Sequence, residues 1–420
     1  MNLDWARLRA VVLESDDWGL CAWVPDDEAW KALERTPAFR SPAGLRYGRS
    51  TLEGAADVKA LAEVLEAHRG ADGFAPVWQA NTVMANPDYR RLAASGFDGG
   101  LPLVELPDTP ARWSRPGLWD EVARACEAGL WWIELHGLHH LPESAWLAAL
   151  ARGDGDARRA LVEESPVCRA VEASGEYDPT EPKETRRRSL ERAIARFRAL
   201  VGRAPRSFCP PDYRWDESLE AEAERHGVTT LQGKAEQTGT PVPRITRALL
   251  KRRFPHVRGK RFYLPPRIAF EPCAPGRVGG RAAVETALGA VRAAWKRSQP
   301  AVLSSHRLNY AHLDPAWSRA GRDALRDLLA SLARDGATFL TDAEVRALVE
   351  RSWSAREIGA RGILVRRHGA AAEPVTLSAP AGVTGARVRE SRARMDARLE
   401  GGALTVRGGE GACLIEWIGP

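Results

Sequence analysis

Two aspartates stand side by side at the end of a short apolar run, Arg9-Ala10-Val11-Val12-Leu13-Glu14, in the order Ser15-Asp16-Asp17. Adjacent carboxylates repel each other unless a cation or a proton comes between them. A turn or a helix cap also uses such residues, so the pair alone is ambiguous. A second apolar run, Leu130 to Leu135, leads straight into His136-Gly137-Leu138-His139-His140. His136 and His140 are four apart, a common spacing for paired metal ligands, and Gly137 relieves the turn between them. His306 closes a third run, Leu303-Ser304-Ser305. One Asp and two His make an O,N,N metal site with open positions, as hydrolytic zinc sites have. The other Asp is then free to act as a general base, and the distant His as a general acid.

These groups need elements to gather them. The run at 9–14 reads as a buried strand. Neighbouring strand residues point to opposite sides, so presenting both Asp16 and Asp17 requires a turn-like departure. Further strands are expected at 74–83, 130–135, 207–209, 228–232, 262–265, 301–305 and 337–340. Helices are expected at 56–69, 87–95, 116–129, 182–200, 216–226, 281–297, 316–334 and 342–352. This alternation means a parallel sheet with helices packed outside. Seven or eight such strands favour a closed (β/α) barrel, in which functional groups collect at the C-terminal strand ends. Past about residue 356 the texture changes to short β-type runs separated by Gly, Pro or polar turns. The expected organisation is therefore an α/β barrel over 1–355 and a small sandwich-like β-domain over 356–420.

Composition narrows the function classes. The chain has 420 residues, 44% hydrophobic and 28% charged, which is ordinary for a globular protein. A net charge of +6 is mild and does not imply nucleic acid. No run of about 18 apolar residues is available for a membrane span. The six Cys are scattered without a CxxC pair, which argues against a zinc ribbon or disulfide framework and fits a reducing compartment. The first residues lack a secretory signal pattern, so a cytoplasmic location is expected. No dinucleotide or P-loop signature occurs. Tryptophan is abundant, 15 against 9 Phe and 6 Tyr, and flat rings suit a groove that stacks on sugars. The basic stretch from Lys251-Arg252-Arg253 to Arg258-Gly259-Lys260-Arg261 reads either as a solvated face or as a phosphate- or uronate-binding patch.

The order Asp-Asp, His-x-x-x-His, Pro210-Pro211 after a strand and a late strand-end His resembles the polysaccharide deacetylases, carbohydrate esterase family 4 with the NodB-homology domain. Glu14-Ser-Asp-Asp-Trp-Gly19, Trp78-Gln-Ala-Asn-Thr-Val83 and Ser304-Ser-His-Arg-Leu-Asn-Tyr310 look like a divergent branch of it. The resemblance covers roughly residues 9–350. It implies a distorted (β/α)7-type barrel and metal-dependent removal of N- or O-acetyl groups from a carbohydrate or glycoconjugate. It implies Asp16 as base, His306 as acid, and Asp17, His136 and His140 as ligands of Zn2+, with Co2+, Ni2+ or Mn2+ as alternatives. Trp18, His139, Pro210, Pro211, Arg267, Glu271 and Arg307 are the candidates for contact with substrate.

The chain departs from the family at three places. Gly137 stands where Ser or Thr is usual. Cys209 stands where an Arg usually pairs with the catalytic Asp, leaving Arg206 or Arg214 as candidates for that pairing. The later Asp that orients the catalytic His has no clear match, and Glu271 is the candidate. Competing readings are a glycoside hydrolase or other amidohydrolase on the same barrel, and a carbohydrate-binding protein with a degenerate site. A 2-His-1-carboxylate iron oxygenase would use the same ligands, but its β-rich scaffold conflicts with the alternating pattern.

Overall fold

The structure is a computed structural model that describes residues 3–239, 243–278, 280–368, 374–391 and 394–419. Its centre is a parallel sheet. In spatial order the strands are Trp131–Leu135, Trp78–Thr82, Ala10–Trp18, Ala301–His306 and Arg267–Ala269, with Thr338–Leu340 pairing with the start of Ala10–Trp18. Val11, Val12 and Leu13 are buried on both faces of the sheet, which explains their unbroken apolar run. Each such side chain contributes about 1.5–3 kcal/mol on burial.

Pairing continues beyond Leu135 through single bridges, Leu135 to Phe208 and Phe208 to Leu231. Thr230–Leu231 then pairs in parallel with Arg261–Tyr263. The segment 261–269 thus joins strand 230–231 at its start and strand 301–306 at its end.

Helices cover the sheet with one apolar stripe each. Ala55–Glu66 buries Val58, Leu61, Val64 and Leu65. Pro315–Arg334 buries Trp317, Leu325, Leu328, Leu329 and Leu332, and Asp314 caps its start by accepting from Ala316 N–H. This is the i, i+3, i+4 spacing of a helix with one buried side. Among the described residues no helix is long and apolar enough to cross a membrane.

The C-terminal residues form antiparallel sheets. One has the order Trp353–Ile358, Gly362–Arg367, Gly411–Ile418, Gly385–Ser391; the other is Val375–Ser378, Ala403–Gly408, Met395–Glu400. Val365, Val375, Leu404, Val406 and Ile415 share one apolar cluster. The first of these strands, Trp353–Ile358, runs across the boundary drawn at 355, and the residue pattern there does not announce it. Its Arg356 is buried, donates to the Gly129 carbonyl and pairs with Glu344, so a charged residue on the inward side hides the strand's pattern. Arg366 is likewise buried between Asp72 and Glu344, tying the C-terminal sheet to the α/β part.

Candidate metal centre

Asp16 and Asp17 lie inside the Ala10–Trp18 strand, near its C-terminal end. Alternation should send their side chains to opposite faces. It fails because Asp17 takes φ 73° and the register against Trp78–Thr82 shifts between Ser15 and Trp18. A left-handed residue without Gly is uncommon and is held here by its surroundings. Both carboxylates consequently reach one cleft.

The histidines come from the loop after Trp131–Leu135. Three successive amides of that loop, of Leu138, His139 and His140, donate to the buried carboxylate of Glu176, at 3.0, 3.3 and 2.8 Å. Glu176 also accepts from Ser189 Oγ. Gly137 has φ 87°, and a Cβ there would stand 2.5 Å from Glu176 Oε2. Glycine at this position is thus what lets the Glu176 carboxylate approach the loop backbone. Glu176, 36 to 38 residues away in sequence, carried no local signal of this role.

Asp17 Oδ1 lies 3.5 Å from His136 Nε2 and 3.5 Å from His140 Nε2. Two donors each about 2.1 Å from a tetrahedral ion are separated by about 3.4 Å, so the spacing suits zinc. His136 Nδ1 is 2.8 Å from the Cys209 carbonyl, which fixes Nε2 as the atom facing Asp17. His140 Nδ1 faces Asp212 Oδ2 at 3.8 Å. Burial pushes the Asp17 carboxyl up, but the hydrogen bond to His136 and the charge of His140 outweigh it and hold the group well below the usual range.

A second group, Asp16, His136 and Cys209, also has its ligand atoms close together. It suits a cation less well. Burial pushes the Cys209 thiol well up, and metal binding needs the thiolate. Asp16 is already occupied. Arg267 donates from both terminal nitrogens, 2.8 Å to Oδ2 and 2.9 Å to Oδ1, and Asn81 Nδ2 donates to Oδ1 at 2.7 Å. Burial would raise the Asp16 carboxyl, yet the Arg267 charge more than reverses this and holds it well below the ordinary value.

Arg267 therefore does what the absent arginine at Cys209 would do. Its side chain is buried, its Nε lies 2.5 Å from Glu14 Oε2, and it also donates to Tyr213 Oη at 2.7 Å and to Cys209 Sγ at 3.3 Å. Buried behind Asp16 and absent from the lining of the cleft, it braces Asp16 and is not the substrate contact expected from its place in the sequence. Neither Arg206 nor Arg214 substitutes for it. Arg206 lines a separate surface cleft with Thr229 and Arg346, and the Arg214 side chain pairs with Asp178.

His306 is the direct register partner of Asp16 across the parallel sheet, and its Nε2 lies 3.9 Å from Asp16 Oδ2. Its Nδ1 meets Glu271 Oε1 at 2.5 Å. Glu271 is held in turn by Asn309 Nδ2 at 2.7 Å and Arg46 at 2.9 Å. Burial lowers the imidazole's proton affinity, but the charge and hydrogen bond of Glu271 raise the pKa to about 9.

The cleft above these groups has a volume of about 460 Å³, within the usual range for a small-molecule site. Pro210 lines it. Pro211 sits behind it, against Gly137. The aromatic wall is Trp23, stacked on Tyr47 at 5.7 Å. Trp18 is not part of that wall; it is buried and packs edge-on against Trp131 at 4.7 Å. His139 is buried too, accepting from Leu141 N–H. Arg307 is buried away from the cleft, donating to the Leu20 carbonyl and pairing with Glu53. Trp23 has φ 68°, a turn conformation that its surrounding sequence does not announce.

Residues 105–231 match the family model for polysaccharide deacetylase. That stretch of the chain is thus similar to the polysaccharide deacetylases. The match holds His136, His140, Pro210 and Pro211, while Asp16, Asp17, Arg267, Glu271 and His306 of the candidate site lie outside it. No curated protein matches the chain. Among solved structures, a protein from Mycobacterium smegmatis provisionally named a polysaccharide deacetylase is 15% identical, with 81% of this chain and 91% of that one covered at a TM-score of 0.40. A CE4 family pseudoenzyme from Bacillus anthracis is 9% identical over 81% of this chain and 66% of that one, at a TM-score of 0.36. The carbohydrate deacetylase Agd3 is 9% identical over 97% of this chain and 65% of that one, at 0.35. At these scores the likeness is loose, and the candidate site is read from its own geometry.

Proposed function

We propose that this chain is a metal-dependent carbohydrate deacetylase, acting on an N- or O-acetylated sugar or glycoconjugate from a (β/α)7-type barrel. The observation that carries the reading is the position of Asp17 Oδ1, equidistant at 3.5 Å from the Nε2 atoms of His136 and His140. Those three side chains would hold the divalent cation, zinc by preference. A cation held there supplies Lewis-acid charge and favours deprotonation of a nucleophilic water. The barrel reading is supported by segment 261–269, which pairs at both of its ends. Residues from 356 on are read as its β-domain.

The remaining groups divide the proton transfers. Water attacks the acetyl carbonyl carbon, and Asp16 Oδ2 takes its proton. Arg267 and Asn81 hold Asp16 ionised and aimed into the cleft. As the C–N or C–O bond breaks, the proton on His306 Nε2 passes to the departing nitrogen or oxygen, and acetate is released. Glu271 keeps His306 protonated for that step, and Nδ1 bound to Glu271 leaves Nε2 as the atom that faces substrate. Trp23 and Tyr47 offer a flat wall for a sugar ring.

The test is elemental analysis of purified protein coupled to acetate release from a panel of acetylated sugars. About one zinc per chain with metal-dependent acetate release is the expected result. Full metal occupancy without acetate release from any member of the panel would favour a binding protein.

A further inference from the structure

The segment 243–260 has no place in the reaction. It contains no Asp or Glu, and its cations include Arg244, Lys251, Arg252, Arg253 and Lys260. The structure folds part of it into a nine-residue helix, Arg244–Arg252, none of whose residues is buried. Ile245 is 78% exposed, Leu249 63% and nearby Val257 48%. Ile245, Ala248 and Leu249 follow the i, i+3, i+4 rule and form one outward stripe with cations on its flanks. The inward side is anchored. Arg247 reaches the Gln237 carbonyl at 3.5 Å, and Phe254, just past the helix, packs on Trp5 and Phe262. The turn before Gln237 lies against the cleft, since Gly233 backs the ring of Tyr213.

We infer that this helix is a docking surface for an anionic lipid bilayer, lying along the membrane with Ile245 and Leu249 turned into the headgroup boundary. Charge complementarity selects the occupant. A second copy of the chain, meeting it about a two-fold axis, would set these cations against their own copies. A nucleic acid or acidic polysaccharide would be met by the cations but would leave the aliphatic stripe without a partner. An anionic bilayer satisfies both faces, as basic amphipathic helices do at membrane surfaces. With so few apolar side chains the attachment is reversible and salt-sensitive. Membrane attachment near the cleft suits a lipid-linked or surface glycan, yet it does not depend on the deacetylase reading.

The experiment is co-sedimentation of the full chain with vesicles of phosphatidylcholine alone and of phosphatidylcholine mixed with phosphatidylglycerol. Binding to the mixed vesicles only, weakened by salt, is expected. Ile245→Ser with Leu249→Ser, and separately Lys251→Glu with Arg252→Glu, should each weaken that binding about ten-fold or more. Circular dichroism and metal content should stay at wild-type levels in both double variants, because the substituted side chains are exposed. Absence of binding to the mixed vesicles overturns the inference. So does loss of binding in the charge variant alone, which would mark a general polyanion site, or a dimer in sedimentation velocity that Leu249→Ser dissolves.

Discussion

Arg267 grips both carboxylate oxygens of Asp16, although 251 residues separate the two in sequence. The strands that carry them flank Ala301–His306 on its two sides, so the sheet brings the pair together. The guanidinium also lies against the buried Glu14 carboxyl, which burial pushes well up, so the charge that its loss would leave unpaired is that of Asp16. Arg267→Ala should therefore destabilise the fold by about 3–5 kcal/mol, the usual cost of leaving buried charge unpaired. Arg267→Lys keeps the charge but not the fork, and should cut turnover by about 10² through misplacement of Asp16. Thermal unfolding and acetate release measure the two effects separately.

His306 must be protonated to act as the acid. Its proton is held up to about pH 9 largely by Glu271, so activity is present below that value and falls as pH rises through it. Glu271→Gln removes the charge while keeping the shape, and the alkaline limb should move toward neutral pH. Activity would then fall more at mildly alkaline than at mildly acidic pH. An unchanged alkaline limb in this variant would separate His306 from the proton transfer.

The His136–His140 loop depends on Glu176. Gly137→Ala would place a methyl group against Glu176 Oε2 in a left-handed backbone. Glu176→Gln would weaken the three amide contacts at once. Both changes should lower metal affinity, by about 10–100-fold as for other groups that orient ligands. Competition with a chelator measures this without reference to any substrate.

What could be read from the sequence was what is local in the chain. The His136–His140 spacing sits in five residues, and Asp16-Asp17 ends a long apolar strand. The long helices 183–201, 281–296 and 315–334 announce themselves by periodicity. Apolar runs also mark the short strands at Thr230–Leu231 and Thr338–Leu340 and the bridge at Phe208, but Arg267–Ala269, three residues led by a charged one, shows no such run. For that reason Arg267 reads in sequence as a substrate contact, although it is a brace. Glu271 could be nominated only through the family resemblance. Trp18 stands beside the Asp pair in sequence but is turned inward, while Trp23, in a left-handed turn five residues on, faces the cleft. Glu176 and Arg46 reach the site through tertiary packing alone.

The proposed chemistry stands or falls on Asp16 and Asp17 having different jobs, one a base and the other a ligand. Metal content of single variants decides this. Asp17→Ala and His140→Ala should lose the metal, because two remaining ligands bind poorly. Asp16→Asn and His306→Ala should keep it while losing about 10²–10⁴ in turnover, the worth of a positioned base or acid. If Asp16→Asn strips the metal as completely as Asp17→Ala does, both carboxylates are ligands and Asp16 is not the base.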